Sequence, residues 1–144
     1  MQKTVSIAGY LGMIAGLLGL FTTHELLSPS PWVIGPQLAA VSLMIWARIT
    51  FGRRSFHLAA NPTAGGLVTT GPYGVIRHPI YSSVCLFALA PTVAYSSVSA
   101  LAFFGLILVG ALLRMHCEES LLRQRYPEYI EYAGTTWRMI PYLF

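Results

Sequence analysis

Apolar residues fall into three long runs, which predict membrane-spanning helices. The first covers about residues 4–21 and the second about residues 32–51, and each is close to the roughly 20 residues that cross a bilayer core. The third run, residues 79–113, contains no charged residue. As a single helix it would measure about 52 Å, far more than a core of about 30 Å. We therefore expect this run to fold back as two spans.

The fold-back of the third run is predicted at residues 95–97, where Tyr-Ser-Ser follows Pro91. The turn divides the run into a third span near residues 80–95 and a fourth near residues 98–114. Four spans in total place the two termini of the chain on the same side of the membrane.

The polarity of the chain rises after the fourth span. Residues 116–125 are expected to continue the fourth helix out of the membrane. Pro127 and Gly134 are typical of the first position of a helix and of the position after its end, so they predict a short helix over residues 127–133. The predicted fold class is an all-α integral membrane protein with about four transmembrane helices and a short C-terminal cytoplasmic or interfacial helix.

One long polar connection interrupts the apolar pattern, at residues 57–78. It contains four glycines and two prolines, which favour turns over a regular helix, and an irregular loop beside a membrane often carries function. We expect a single membrane domain over residues 1–144. Its predicted parts are two N-terminal spans (1–56), a cytoplasmic Gly/Pro-rich loop (57–78), a helical hairpin (79–115), and a cytoplasmic helix with its tail (116–144).

The charge content agrees with a membrane protein. Charged residues make up 10% of the 144 residues, whereas soluble domains carry about 25%. The net charge is +4, but the basic residues lie at the ends of the apolar runs and in connections, which favours both termini and the long loop on the cytoplasmic side. No basic and aromatic stripe suggests nucleic acid. The cysteines, Cys85 and Cys117, have no metal-ligand spacing, so no metal site is expected.

Four glycines in the first span share one helix face, because they recur at spacings of three and four. They are Gly9, Gly12, Gly16 and Gly19. Such a face lets another helix approach closely. The partner is either another helix of the same chain or a second copy of the chain, so a dimer through this face is one of two interpretations.

Ionisable residues cluster at both ends of the predicted hairpin. Arg77, His78 and Tyr81 lie where the third span starts, and Glu118 and Glu119 follow the fourth. Because two antiparallel passes return the chain to its starting side, we expect the two carboxylates to meet the Arg-His-Tyr group at one membrane face.

The two glutamates cannot face the same partner, because neighbouring side chains on a helix project about 100° apart. One can pair with Arg114 on the helix surface, and the other then faces the bundle. Taken singly, these residues are also typical of a solvated helix face and of charges that flank a span. Their combination favours a functional site.

Five short motifs in order carry a resemblance to a known family. They are Gly71-Pro72-Tyr73, Arg77-His78-Pro79-Ile80-Tyr81, Glu118-Glu119, Tyr129 with Tyr132, and Arg138-Met139-Ile140-Pro141. Over about residues 65–141 the chain resembles the isoprenylcysteine carboxyl methyltransferases and the related phospholipid methyltransferases of membranes. It departs from that pattern at Ser82-Ser83, where the family often has a small residue and Gly, and at Tyr126-Pro127, where it often has Phe-Gly.

The resemblance implies S-adenosylmethionine as methyl donor, bound on the cytoplasmic side and released as S-adenosylhomocysteine. The cofactor-binding residues that it implies are Gly71, Tyr73, His78, Pro79, Tyr81, Glu118 and Glu119. The residues that it implies for catalysis are Arg77, Glu119 and Arg138. Either arginine could orient an acceptor carboxylate, and Glu119 would be the base for an amine acceptor. Arg138 is alternatively an anchor for interfacial phosphate.

The acceptor that the resemblance implies is a lipophilic or prenylated molecule from the bilayer. The expected reaction is carboxyl O-methylation of an isoprenylcysteine-like substrate. Three alternatives stay open: N-methylation of a phospholipid amine, a membrane oxidoreductase similar to sterol reductases, which share a similar C-terminal region, and a non-catalytic membrane assembly protein.

Overall fold

The computed structural model describes residues 2–52 and 66–144 of the chain. These residues form α1 (Gln2–Thr22), α2 (Pro31–Phe51), a 3-10 turn (Gly71–Gly74), α3 (Pro79–Tyr95), α4 (Val98–Arg125) and α5 (Tyr129–Thr135). In this part of the chain there is no β-strand, apart from an isolated bridge between Ile76 and Trp137. The predicted all-α fold class is confirmed.

Among the described residues, three helices, α1, α2 and α4, are long and apolar enough to cross a membrane. The apolar helix α3 has 17 residues, which gives a length of about 25 Å at 1.5 Å per residue, slightly less than a typical bilayer core. α4 has 28 residues and continues well beyond its apolar part, as its polar C-terminal sequence predicted.

The C-terminal helix α5 lies two residues later in the chain than predicted. Pro127 lies in the turn before it and Gly134 lies inside it, so the predicted bracketing of the helix by these two residues is wrong. The helix ends where Thr136 adopts an extended backbone. This end is set by pairing with another segment, because the next backbone N–H, of Trp137, donates to the Val75 carbonyl at 3.0 Å.

The four long helices pack as two antiparallel pairs that the α3–α4 hairpin joins. α1 packs along α4, and α2 packs along α3. At one end of the bundle, here called the terminal end, the Gln2 side chain donates to Ser120, and the C-terminal tail packs beside the last turns of α4. At the opposite end, the loop end, the Ser97 hydroxyl donates to Glu25. Both termini therefore lie at one end, as four passes require.

The glycine face of α1 is filled by α4. A Cβ atom at Gly9 would lie 2.7 Å from the Gly110 carbonyl oxygen, and one at Gly16 would lie 2.5 Å from Cγ1 of Ile107. Any larger residue at these two positions would push the helices apart, whereas Gly12 has more room, with its nearest neighbour at 3.6 Å. The face packs against α4 within the chain, and the dimer of the second interpretation stays a prediction.

Gln37 is a buried polar side chain inside the apolar bundle. Pro91 lacks a backbone N–H, so it cannot donate to the carbonyl of Phe87 one helical turn earlier. The Gln37 side-chain amide donates to that carbonyl at 3.3 Å and to the Leu26 carbonyl at 2.8 Å. Gln37 therefore ties α2 to the proline-interrupted turn of α3 and to the loop after α1.

The fold-back between α3 and α4 lies where the sequence predicts it. Ser96 takes a left-handed conformation with φ of 49° directly after α3. The Ser97 hydroxyl then accepts from the Ala100 backbone N–H at 2.9 Å and caps α4. The chain thus reverses direction within two residues and returns to the terminal end.

Candidate active site

Glu119 lies at the centre of a charged cluster at the terminal end. Its buried Oε1 atom accepts from His78 Nε2 at 3.1 Å and from Arg138 Nε at 3.0 Å. Arg138 Nη2 donates to Oε2 at 3.1 Å, which makes this ion pair bidentate. Arg77 Nε contacts Oε1 and Arg123 Nη2 contacts Oε2, each at 3.4 Å. Donors therefore surround both oxygens of the carboxylate.

Glu118 projects from another side of α4 and has a different environment. Its Oε1 atom accepts from the Tyr81 hydroxyl and, at 3.4 Å, from Arg114 Nη2. Its Oε2 atom lies 3.8 Å from Nδ1 of His78, which is beyond hydrogen-bond distance. The side chain is 26% exposed. Within the described residues, Glu118 thus keeps Oε2 without a hydrogen-bond partner at the edge of the cluster.

Arg114 is buried between α1 and the cluster. Its Nε donates to the Tyr81 hydroxyl oxygen at 2.8 Å, and its Nη1 donates to the Ser6 carbonyl at 3.3 Å. The guanidinium carbon lies 5.1 Å from the centre of the Tyr10 ring, within the range of a cation–π contact. Arg114 therefore links the first helix of the chain to the site residues of α3 and α4.

Arg77 fastens the segment before α3 to the C-terminal tail. Its Nη1 donates to the Ala133 carbonyl at 2.8 Å and to the Thr136 carbonyl. Its backbone N–H donates to the Trp137 carbonyl at 2.7 Å, and the following N–H donates to the Arg138 carbonyl at 3.1 Å. This short backbone pairing aligns the tail with the start of α3 and sets the position of Arg138.

The Gly-Pro-Tyr motif forms the 3-10 turn, which packs on the end of α2. Gly71 has a φ of 58°, and a Cβ atom there would lie 2.8 Å from Oγ1 of Thr50, so both the backbone and the space require glycine. The Tyr73 ring packs against Phe51 with 5.4 Å between centroids. Its carbonyl accepts from the Tyr132 hydroxyl at 2.7 Å. The turn thus joins α2 to α5.

Two buried tyrosines, Tyr73 and Tyr129, have hydroxyl groups without a hydrogen-bond partner among the described residues. Burial raises the pKa of both hydroxyls above the usual range. The carboxylate of Glu118 raises the pKa of Tyr73 further, and the carboxylate of Glu119 does the same for Tyr129. Both groups are therefore protonated at neutral pH and can donate. Because an unpaired buried donor is costly, an acceptor atom of a bound molecule would be stabilised beside them.

The structure brings the sequence-predicted residues to one end of the bundle. Six of them form the cluster: Arg77, His78, Tyr81, Glu118, Glu119 and Arg138. Pro79 is the first residue of α3, and Gly71 and Tyr73 lie in the adjacent 3-10 turn. One glutamate pairs with Arg114 and the other faces the bundle, as expected. The catalytic and binding roles of all these residues stay predictions.

Sequence reasoning missed three features of this site. The contact of Arg123 with Glu119 could have been found from their i, i+4 spacing. The unpaired hydroxyl of Tyr129 and the contacts of α1 with Arg114 depend on tertiary packing and have no local signal. Arg138 pairs with Glu119 in a bidentate way, and its two interpretations, a site residue and an anchor for interfacial phosphate, both stay predictions. Arg53, Arg54 and residues 57–65 of the predicted loop lie outside the described residues.

Two curated relatives cover most of this chain. The nickel-cobalt-cadmium resistance protein NccN of Alcaligenes xylosoxydans xylosoxydans is 32% identical over 118 residues, which are 77% of this chain and 48% of that protein. The cobalt-zinc-cadmium resistance protein CzcN of Cupriavidus metallidurans is 33% identical with the same coverage. The chain spans about half the length of these relatives. No solved structure matches the chain.

A family match covers more than half of the chain. Residues 41–129 match the family described as phospholipid methyltransferase. The matched stretch contains the 3-10 turn, the Arg-His-Pro-Ile-Tyr motif and the glutamate pair, and thus every residue of the cluster except Arg138. The chain therefore belongs to the phospholipid methyltransferase family of membrane proteins.

Proposed function

We propose that the chain transfers a methyl group from S-adenosylmethionine to a lipophilic acceptor at the membrane face where the cluster lies. The family supports methyl transfer. The observation that carries the proposal is a charged cluster at one end of an apolar bundle, with the two unpaired hydroxyls of Tyr73 and Tyr129 beside it. Buried charges and unpaired donors beside a membrane are costly and mark functional sites.

The cluster fits the polar groups of this methyl donor. Nε2 of His78 is hydrogen-bonded to Glu119, and Oε2 of Glu118 lies 3.8 Å from Nδ1 on the other side of the ring. Oε2 of Glu118 can therefore accept from the ammonium group of the cofactor. The hydroxyls of Tyr73 and Tyr129 can donate to a carboxylate or to ribose oxygens. When bound, the cofactor supplies a methyl group on a sulfonium cation.

Glu118 is the better candidate for cofactor contact, and Glu119 for a positioning role. Both oxygens of Glu119 already accept from arginine or histidine donors, so they offer no lone pair to a ligand. For an amine acceptor, Glu119 is therefore no longer our candidate for the base that receives the proton. Glu119 holds His78 and Arg138 in position.

Methyl transfer makes modest demands on the chain. The acceptor atom attacks the methyl carbon in line with the carbon–sulfur bond, which breaks as the new bond forms. The electron pair of the broken bond stays on sulfur and gives S-adenosylhomocysteine. The residues of the cluster hold the two reactants close together and in line. A carboxylate acceptor needs no proton removal, whereas an ammonium acceptor must first lose a proton to a base.

Carboxyl O-methylation of an isoprenylcysteine-like acceptor is our first candidate reaction. Arg138 contacts Glu119 through Nε and Nη2, so Nη1 is available, and its side chain is 25% exposed. It can therefore bind an acceptor carboxylate as well. Arg77 is less suited, because its side chain is only 13% exposed and its Nη1 is held by tail carbonyls. The description of the family favours the second candidate, N-methylation of a phospholipid amine.

We also propose that the terminal end lies on the cytoplasmic side. Arginines of the described helices collect there, for example Arg48 in the last turn of α2 and Arg123 and Arg125 in the last turn of α4, as the positive-inside rule expects. The cofactor then arrives from the cytoplasm. The lipid part of the acceptor arrives from the bilayer, against exposed apolar side chains such as Leu38 and Ile49.

The names of the two relatives suggest a second, broader role in resistance to metal cations. Within the described residues no group of three or more His, Cys, Asp or Glu could hold a metal ion. We therefore propose that a resistance role of this chain acts through methyl transfer. Cells that express the wild-type chain should then tolerate cobalt or cadmium better than cells with Glu118→Gln, and equal tolerance would contradict this role.

Methyl-labelled S-adenosylmethionine tests the proposed reaction most broadly. Membranes that contain the full chain are incubated with it and with a panel of prenylcysteine and phospholipid acceptors. We expect labelled lipid, with a base-labile methyl ester for a carboxylate acceptor or a base-stable N-methyl group for an amine. The Glu118→Gln variant should transfer little label. Folded wild-type chain that labels no acceptor would contradict the proposal.

Thermal unfolding separates methyl transfer from the two remaining alternatives. We expect S-adenosylhomocysteine to raise the unfolding temperature of the purified chain, because a ligand that binds the folded state stabilises it. Protection by a nicotinamide cofactor instead would favour the reductase-like alternative. Protection by neither would favour a non-catalytic assembly protein.

A further inference from the structure

We infer that α1 is part of the ligand site, with Tyr10 and Arg114 as positioning residues for Tyr81 and Glu118. This inference rests on the proposed function. α1 precedes residues 41–129, which match the family, and it carries none of the five motifs. Its role follows from the contacts of Arg114.

Arg114 fixes the direction of the hydrogen bonds that reach Glu118. A guanidinium only donates, so the Tyr81 oxygen accepts from Arg114 Nε at 2.8 Å. The single proton of Tyr81 is then directed to Oε1 of Glu118, which also accepts from Arg114 Nη2. Both donors engage the same oxygen. The other oxygen, Oε2, is thereby turned towards His78 and the proposed position of the ligand.

α1 in turn holds Arg114. The Ser6 carbonyl accepts from Nη1 at 3.3 Å, and the Tyr10 ring covers the guanidinium at 5.1 Å. Gly9 makes this approach possible, because a Cβ atom there would lie 3.2 Å from Cγ of Arg114 and 2.7 Å from the Gly110 carbonyl oxygen. The glycine face of α1 therefore has a second consequence besides packing. It places Ser6 and Tyr10 against the arginine that orients the site.

A double-mutant cycle between Tyr10 and Glu118 tests this inference. The affinity of the full chain for S-adenosylhomocysteine is measured by calorimetry in detergent. We expect Tyr10→Leu to lower the affinity roughly 3-fold to 30-fold, the range of one cation–π contact. In the Glu118→Gln background Tyr10→Leu should have little further effect, because both changes act on the same carboxylate.

Matched variants separate positioning from a general loss of structure. Tyr10→Phe keeps the ring over Arg114 and should recover the affinity that Tyr10→Leu loses. Tyr142→Leu removes an exposed tyrosine of the tail and should have no effect. Two results would overturn this inference and leave the proposed function standing. In the first, the wild type binds and Tyr10→Leu binds with the same affinity. In the second, Tyr10→Leu lowers the affinity by the same factor whether residue 118 is Glu or Gln. A wild-type chain without binding would overturn the proposed function and the inference with it.

Discussion

The two ends of the helical bundle use carboxylates in different ways. At the loop end, Glu25 accepts from the hydroxyls of Thr23, Ser97 and Ser99. Ser97 is the N-cap of α4, so this carboxylate joins the loop after α1 to the start of α4. At the terminal end, Glu119 is buried and accepts from three arginines and His78. One carboxylate supports a helix end, and the other organises a concentration of charge.

The difference shows that the terminal end carries charged and unpaired polar groups that packing of the helices does not require. Hydroxyl groups suffice to fasten the loop end. The terminal end holds buried charge, an unpaired oxygen on Glu118 and two unpaired hydroxyls, on Tyr73 and Tyr129. Groups of this kind lower stability unless a ligand completes them. The contrast between the ends therefore supports a binding site at the terminal end.

The largest effect is expected for Glu119→Gln. Arg77, His78 and Arg138 would lose their charged partner, and breaking a buried ion pair typically costs about 3–5 kcal/mol. We expect this loss in the free energy of unfolding in detergent, together with loss of S-adenosylhomocysteine binding. Glu25→Gln at the loop end is the matched control and should bind as the wild type does. If Glu119→Gln and Glu25→Gln had the same free energy of unfolding and the same affinity for S-adenosylhomocysteine, the proposed difference between the two ends would be contradicted.

A smaller effect is expected for Gly16→Ala, which tests the contact between α1 and α4 along the bundle. The new Cβ atom would lie 2.5 Å from Ile107, so α1 and α4 must separate, and overpacking of this kind costs about 1–3 kcal/mol. Gly12→Ala, with its nearest neighbour at 3.6 Å, should be close to neutral. The two unfolding curves check this order, and a reversed order would contradict the packing of α1 on α4.

The Gln37→Leu variant should destabilise the bundle less, by about 1 kcal/mol, which is typical of a hydrogen bond between membrane helices. The Phe87 carbonyl would then have no donor, because Pro91 cannot supply one. Adding Pro91→Ala restores a backbone N–H for this carbonyl and should remove the part of the loss that comes from Phe87, while the Leu26 carbonyl still lacks its donor. The comparison is between the free energies of unfolding of Gln37→Leu and of the double variant. If the two substitutions lowered the free energy of unfolding additively, the proposed role of Gln37 would be contradicted.

The smallest effect is a pH dependence at the loop end. The hydrogen bond from Ser97 is the main reason why the pKa of Glu25 lies below its ordinary value. The folded state therefore favours the carboxylate, and this stabilisation is present above the unfolded-state pKa and is lost as the pH falls through the folded-state pKa. Unfolding followed from pH 7 to pH 3 should show a steeper acid loss for wild type than for Glu25→Gln. Parallel curves would contradict this assignment.

The helices and the position of the cluster could be predicted from the sequence because they follow from local rules. The uncharged run over residues 79–113 is too long for one span, so it must fold back, and its ends must meet. The spacing of Glu118 and Glu119 on a helix likewise assigned them to different partners. Both arguments need only helix geometry and the thickness of a bilayer.

The remaining details depend on tertiary contacts that no local pattern records. α5 is displaced from its predicted position because Trp137 pairs with the segment before α3. The backbone pairing of Trp137 also carries the tail across the end of the bundle, and this places Arg138 beside Glu119. The contribution of Tyr10 depends on the close approach of α1 to α4. The sequence contains the glycines that permit this approach but does not identify the residues that it brings together.

Calorimetric titration of the purified full chain with S-adenosylhomocysteine tests whether the terminal end binds the cofactor, with Glu118→Gln and Glu25→Gln titrated in parallel. We expect saturable binding by wild type and by Glu25→Gln. For Glu118→Gln we expect an affinity at least about tenfold weaker, because a hydrogen bond to a charged group contributes about 1.5–3 kcal/mol. Absence of binding by folded wild-type chain, or equal affinity of Glu118→Gln and wild type, would contradict the assignment of the terminal end as the cofactor site.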